Sequence, residues 1–298
     1  MYFIRAYELL IGDSNENLLR QIDGIPTETH TPLQIQFMID QSPNAEHSYA
    51  EITLYGLKRV NRRAIYEEGS FVTLSAGWKE DGIGTIFDGQ IRNVELGRDG
   101  ADQFLRLYCQ SGFDQWRKAK IFKTWAADTP MKQIIREVAE SFGYPVELIG
   151  DFDGYGKALK GRTFARDAKS ALRSLAKTYG FTFGLLNNRL YVIRDETRRR
   201  DIPATEYTPT TGLIGTPEIT EKGVDIDVLL NPFLRPWDSY TVKSETGALT
   251  YNAIYYQERE FPETQGESEN EIVSLKHEGD FYSDTWQTSL EGRRITDG

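Results

Sequence analysis

A single cysteine in 298 residues, Cys109, leaves no internal disulfide framework available. It falls in the apolar alternation Phe104, Leu105, Leu107, Tyr108, Cys109, the setting of a small, inert core thiol. Histidine is equally scarce. His30, His47 and His277 are too few and too scattered to supply a zinc site with the usual ligand spacing. Positive charge is short too: 35 Lys and Arg stand against 45 Asp and Glu, a net charge of −10. That is the wrong sign for a surface that must neutralise phosphates, which excludes tight duplex binding. No apolar run approaches the length needed to cross a bilayer, so no membrane anchoring is expected. The opening MYFIRAYELLIGDS is interrupted by Arg5, Glu8 and Asp13 and does not read as a secretory signal. Synthesis and folding in a cytoplasm are the expectation.

The catalytic signatures are missing as well. The sequence has no P-loop, no HExxH and no GxSxG elbow. GIGTIFDG and GYGKALKG lack the third glycine of a dinucleotide loop. Asp151-Phe152-Asp153-Gly154 starts like a calcium loop but lacks the later acidic ligands, and reads as a polar turn. A glycosidase-type carboxylate pair would need a cleft and a raised acid pKa, which no sequence displays. The expectation is no catalytic residue, no metal and no cofactor: the chain is not an enzyme.

What is present is strand. A hydrophobic fraction of 39% with 27% charge is globular, and 16 Tyr with 15 Phe favour β structure. LQIQFMID, AEITLYGL, SFVTLSAGW, GTIFDGQIRNVEL and QFLRLYCQ alternate with period two, and Gly97-Arg98-Asp99-Gly100 joins two of these runs as a hairpin should. The period then changes. Asp128-Thr129-Pro130 offers a cap and a first-turn proline before Met131, Ile134, Ile135, Val138, Ala139 and Phe142 line one helical face. A second helix is predicted over about 166–179, ending at Gly180, and FTFGLL and RLYVIR flank Asn187-Asn188 as a hairpin.

A charged run containing Arg198, Arg199 and Arg200 follows; its acidic neighbours make it a solvated linker rather than a phosphate site. Strands then return in VDIDVL, SYTVKS, LTYNAIYYQERE and EIVSLKHEG, with a Glu-rich segment from Gln257 to Glu271 expected as a mobile exposed loop. The predicted class is thus α+β and β-rich: two small β-barrel domains, 1–111 and 201–298, with an inserted α+β domain of two helices and a hairpin at 112–200. A shared rhythm, SFVTLSAGW with IRNVELGRDG against SYTVKSE with IVSLKHEGD, raises the idea that the outer two are copies of one unit.

Three stretches carry a resemblance. They are ITLYGLKRVNRRAIYEEGSFVTLSAGWKEDGIGTIFDGQIRNVELGRDGADQFLRLYCQSG, the pairing of KSALRSLAKTYGFTFGLLNNRLYVI with the preceding helix, and GLIGTPEITEKGVDIDVLLNPFLRPWDSYTVKS continued by EIVSLKHEGDFYSDTWQTSL. Together they resemble the baseplate hub proteins of contractile bacteriophage tails, a family similar to the hub part of the type VI secretion spike. One position departs: the family shows a glycine after LLNPFLRP, and Trp237-Asp238 stands here.

The resemblance implies tail-tube-like barrels and a homotrimer that adapts the hexameric tail tube to the trimeric central spike, contacting both and other baseplate proteins. It also implies a place in the virion's tail baseplate and DNA that passes without being gripped. Glu95, Asp99, Asp102, Asp225 and Asp227 are the candidate channel-lining residues, the other reading being that they solubilise the outer surface. Two other functions compete: a cell-wall hydrolase of the tail, and a glycan-binding tail module.

Overall fold

The computed structural model describes residues 4–42, 48–194, 203–243, 250–251 and 269–295. The expected linker around Arg198–Arg200, most of the Glu-rich loop and most of LTYNAIYYQERE lie outside them. In chain order the elements begin with β1 (Arg5–Gly12), β2 (Leu18–Asp23), β3 (Ile35–Gln41), β4 (Tyr49–Tyr55), α1 (Arg59–Glu68), β5 (Phe71–Trp78), β6 (Gly82–Asp99) and β7 (Asp102–Gln110). Next come α2 (Phe113–Lys118), β8 (Lys120–Trp125), α3 (Met131–Glu140), β9 (Val146–Ile149), β10 (Arg162–Asp167), α4 (Ala168–Tyr179), β11 (Phe181–Leu186) and β12 (Arg189–Arg194). The last are β13 (Thr205–Tyr207), β14 (Leu213–Ile219), β15 (Val224–Leu229), β16 (Ser239–Val242), β17 (Thr250–Tyr251), β18 (Asn270–Asp280) and β19 (Trp286–Arg294). Two compact units result, one within 1–42, 49–110 and 202–298, the other within 43–48 and 111–201.

The second unit is built as its periodicity predicts. Met131, Ile134, Ile135, Val138 and Ala139 of α3 and Ala168, Ala171, Leu172 and Leu175 of α4 are buried in one cluster with Phe181, Leu185, Leu190 and Val192 of the β11–β12 hairpin. Asn187 and Asn188 have φ of 45° and 54°, and Gly180 closes α4 at φ 66°. The start of α3 differs from expectation: Pro130 is its cap residue, Asp128 is left-handed, and the Met131 N–H donates to the Gly156 carbonyl at 2.9 Å. Backbone thus satisfies the donor that a side-chain cap was expected to take.

The first unit corrects the two-barrel expectation. The outer thirds of the chain form one 14-stranded sheet in the order β17-β14-β15-β19-β18-β3-β4-β7-β6-β5-β1-β2, with β16 also on β18 and β13 on β16. Among the described residues this path does not close on itself. The reason is an edge: β18 pairs antiparallel with β3 from Leu275↔Gln41 to Asp280↔Gln36, so an edge that would close a barrel joins the two halves instead. Two tryptophans secure the join. The Trp286 indole donates to the Gly77 carbonyl (3.1 Å) and the Trp78 indole to the Leu230 carbonyl (2.9 Å). Leu230, Phe281 and Trp286 enter the core of the first half, packed with Tyr7, Phe37 and Leu54. Arg5 Nη1 reaches the carbonyls of Asp280 (2.8 Å) and Phe281 (3.2 Å) at the β18–β19 turn.

Within that sheet the halves repeat one pairing scheme. The order β3-β4-β7-β6-β5 is matched by β14-β15-β19-β18-β16, every neighbouring pair antiparallel. Both long strands break register at the same place, between Ile91 and Asn93 in β6 and between Ile272 and Ser274 in β18. The scheme ends at β13, which runs parallel to β16 whereas β1 is antiparallel to β5. In the second half Trp237, standing where the resemblance leads one to expect a glycine, has a left-handed φ of 73°, is buried, and donates its N–H to the Ile272 carbonyl at 2.7 Å.

Two outcomes test this join. A Cβ at Gly279 would stand 2.3 Å from Phe37 Cζ and 2.8 Å from Trp286 Cε3, so Gly279→Ala should cost about 1–3 kcal/mol in denaturant melts. His277, fully buried beside Thr288 Oγ1 (2.9 Å), is held down to about 3 from its ordinary 6.5, by burial first and Arg235 second. Between those values the unfolded chain takes up a proton that the folded chain refuses, so stability falls as pH drops from 6.5 toward 3. Between pH 7 and pH 5 the loss is roughly 2 kcal/mol. His277→Leu should remove that slope, while Asp40 and Asp225, both pushed up chiefly by burial, act in the opposite direction in both proteins. Equal pH slopes in the two proteins would contradict this reading.

Candidate functional site

Strand alternation gives the large sheet one face in the core and one outside it. On β15, Val224, Ile226 and Val228 are buried, so Asp225 and Asp227 project from the other face. On β7, Leu105, Leu107 and Cys109 are buried, which puts Arg106 and Tyr108 on that same outer face. Glu95 stands opposite Arg106 and joins them there. Asp99 and Asp102 pair across the β6–β7 turn with the same parity, and their charges, after burial, help to raise the Tyr55 pKa. All five sequence-predicted acidic residues therefore share the face away from the core. They are not one cluster: β15 is separated from β7 in the sheet by β19, β18, β3 and β4.

Register adds acids that were not singled out from the sequence. Asp40, Glu51, Glu218, Glu278, Asp280 and Glu291 all alternate with buried positions on this face. Counting i and i+2 along EITLYGL and SLKHEGD would have found three of the six, Glu51, Glu278 and Asp280. Among the described residues, Arg106, Lys276 and Arg293 are bases that the ladder register places on the same face, and each is tied to a carboxylate. Arg106 Nε lies 3.2 Å from Glu51 and its Nη1 3.7 Å from Glu95; Lys276 is 2.5 Å from Glu278 and Arg293 is 2.9 Å from Glu271. Glu95 also accepts from the Tyr108 hydroxyl at 2.9 Å. Equivalent positions of the two halves carry equivalent bonds, Arg106 Nε to Thr53 Oγ1 (3.1 Å) and Ser289 Oγ to Asp227 Oδ1 (2.6 Å). Asp225 accepts the Gly292 N–H at 2.9 Å, and burial, with Glu291 and Glu218 near it, pushes its carboxyl upward. Among the described residues the face carries more carboxylates than bases and is hydrogen-bonded within itself.

The positions where chemistry was sought are structural. His277 is enclosed in the sheet, and burial pushes the Cys109 thiol up, away from the thiolate a nucleophile needs. Asp151 Oδ1 accepts the N–H groups of Asp153 (3.0 Å) and Gly154 (3.2 Å), the polar turn expected there. GIGTIFDG lies inside strand β6. A cavity of about 560 Å³ is lined by Trp78, Tyr207, Pro209, Leu229 and Pro232 among others, with Asp81 the only carboxylate among the described residues that line it. Among the described residues no three His, Cys, Asp or Glu side chains stand together as metal ligands, and no helix is long and apolar enough to cross a membrane.

The comparisons with known proteins agree with this architecture. The model of the family described as baseplate hub gp41 matches residues 21–247. The chain belongs to that family, and so is a structural component of a phage tail baseplate. No curated protein sequence matches it. In fold it is similar to the 43 kDa tail protein of prophage MuSo2 from Shewanella oneidensis, with TM-score 0.61, 10% identity, and 97% of this chain and 98% of that chain covered. A tail protein of Neisseria meningitidis gives TM-score 0.59 at 8% identity, covering 97% and 96%. An Escherichia coli component of the type VI secretion system, described as structurally similar to the phage T4 tail proteins gp27 and gp5, gives 0.55 at 8%, covering 89% and 75%.

The half-buried Asp225 offers a direct check on the face. Because its folded pKa is raised, its charge opposes folding once the pH exceeds the unfolded carboxyl value. Asp225→Asn, which keeps an acceptor for the Gly292 N–H, should melt at or above the wild-type temperature at pH 8. That gain should vanish near pH 3.5, where the carboxyl is protonated; a variant that is less stable at pH 8 would show the charge to be favourable.

Proposed function

We propose that this protein is the hub that joins the hexameric tail tube to the trimeric central spike, acting as a homotrimer with no catalytic role. The observation that carries the reading is the repeated strand scheme within one sheet. A chain with two tube-like halves fused through β3 and β18 presents six equivalent halves when three copies assemble, while keeping three-fold symmetry for the spike. In this reading each half corresponds to the barrel of one tube subunit. The protein is made in the host cytoplasm, and its other contacts are neighbouring baseplate proteins.

The acidic sheet face lines the passage through which DNA leaves. Lysine-rich walls would hold phosphates by counterion release, whereas a face with few and already paired bases lets the duplex slide. Light scattering should give about 102 kDa for the protein alone, three times the 34.1 kDa chain, and a mass containing three copies plus its partners when it is mixed with its tail tube and spike proteins. A stable dimer in every mixture would contradict the trimer. A fluorescence titration with duplex DNA at low salt should show no saturable binding, and tight, salt-sensitive binding would remove the passage role.

A further inference from the structure

The charge of the chain is divided unequally between its two units. Residues 43–48 and 111–201 carry 18 Lys and Arg against 12 Asp and Glu, while the rest of the chain carries 17 against 33. Within the basic unit two stretches, 115–127 and 154–166, hold four bases each and no acid. The β8–β10 ladder lays them side by side, from Arg162↔Trp125 to Asp167↔Lys120. The ion pairs of this unit include Lys118, Lys123, Lys132, Arg189 and Arg194. Among the described residues Lys157, Lys160, Arg162 and Arg166 enter none, in contrast to Arg106, Lys276 and Arg293 on the acidic sheet face. Arg162 and Arg166 instead flank the Phe164 ring, their guanidinium carbons 5.3 and 4.9 Å from its centroid.

Two apolar side chains project from this basic ribbon. Ile121, Trp125 and Phe164 are buried, so Phe122, opposite Ala165, stands on the outer face and is 73% exposed. Leu159 is 95% exposed, more than any other large apolar side chain among the described residues. Its exposure is built into the backbone: the buried Ala158 donates its N–H to the Thr129 carbonyl (2.9 Å) and accepts the Asp128 N–H (2.8 Å), which holds Leu159 outward between Lys157 and Lys160. A protein partner calls for a contiguous apolar core within a polar rim, and a nucleic acid for aromatic faces on which bases stack. Leu159 and Phe122 are separate apolar points set among cations. A bilayer surface accepts that pattern, because apolar tips enter the boundary between headgroups and acyl chains while lysines and arginines stay with anionic headgroups. We infer that the β8–β10 ribbon and the 156–161 loop form a peripheral docking surface for an anionic lipid bilayer. Leu159 enters the headgroup region, Phe122 lies against it, and Lys157, Lys160 and Arg166 meet the lipid phosphates. No spanning segment is involved, and the inference goes beyond the hub reading without depending on it.

The test sediments the full chain with vesicles of phosphatidylcholine, with or without phosphatidylglycerol, at low salt. The chain should sediment with the anionic vesicles only and be released as salt rises, since screening shortens the reach of the cations. Lys157→Glu with Lys160→Glu should lower the ratio of bound to free protein about tenfold or more. Both side chains are exposed, so the melting temperature should not change. A polarity-sensitive dye on Leu159→Cys should shift to the blue on anionic vesicles, and the same dye on Val60→Cys, 73% exposed in α1, should not. The native Cys109 is fully buried and takes no label. A wild-type chain that ignores anionic vesicles, binding that the double lysine variant retains, or a dye shift at 60 equal to that at 159 would overturn the inference. Capture of an oligonucleotide through the same lysines, without vesicle binding, would overturn it in favour of a nucleic-acid surface. None of these outcomes touches the hub reading, which stands or falls on the trimer mass.

Discussion

The pairing of β18 with β3 is the constraint on which the first unit depends. It turns two stretches of strand, separated in sequence by the helical unit, into one sheet, and it buries Trp286, Phe281 and Leu230 in the core of the other half. Backbone hydrogen bonding and aromatic burial act at the same seam: Phe37 and Trp286 meet edge-to-face at 5.1 Å directly beside Gly279, where no side chain would fit. The seam also explains His277. Burial keeps the ring neutral, and Thr288 gives its Nδ1 a partner while Nε2 has none among the described residues.

Much of this architecture was legible in the sequence because it rests on period two. The rhythm that matched IRNVELGRDG to IVSLKHEGD is the same alignment the structure gives, Ile91 with Ile272 and Asp99 with Asp280. The helices α3 and α4 were readable from their apolar stripes. By contrast α1 was not, since only Ile65 is buried along it and Val60 and Tyr66 face solvent, which leaves no stripe to detect. Closure was misjudged for a different reason. Alternation says which face a strand buries and nothing about which edge it offers, so the fusion of two expected barrels into one sheet could not be read from residues. The turn at Trp237 shows the limit from the other side: the departure from glycine was visible, but only the structure reveals that a tryptophan holds the left-handed backbone there, its burial offsetting a strain of about 1 kcal/mol.

The acidic residues were found one strand at a time, and what the sequence lacked was register. Glu95 and Asp227 are far apart in the chain, yet the ladders carry one parity across every strand between them. Parity makes a single face of them. Charge on that face is then a property of the assembled sheet: its few bases are consumed by local carboxylates, and the remaining acids set the sign of the field that any polyanion passing it would meet.

The central claim is that three copies of this chain build a ring of six equivalent halves around a passage walled by the acidic face. Electron cryo-microscopy of the protein assembled with its spike measures this most directly. The account predicts a three-fold ring in which the two halves of each chain alternate around the axis, with Glu95, Asp225 and Asp227 turned toward the opening. A ring whose opening is lined by the unit containing α3 and α4, or in which the core-distal sheet face points outward, would contradict it.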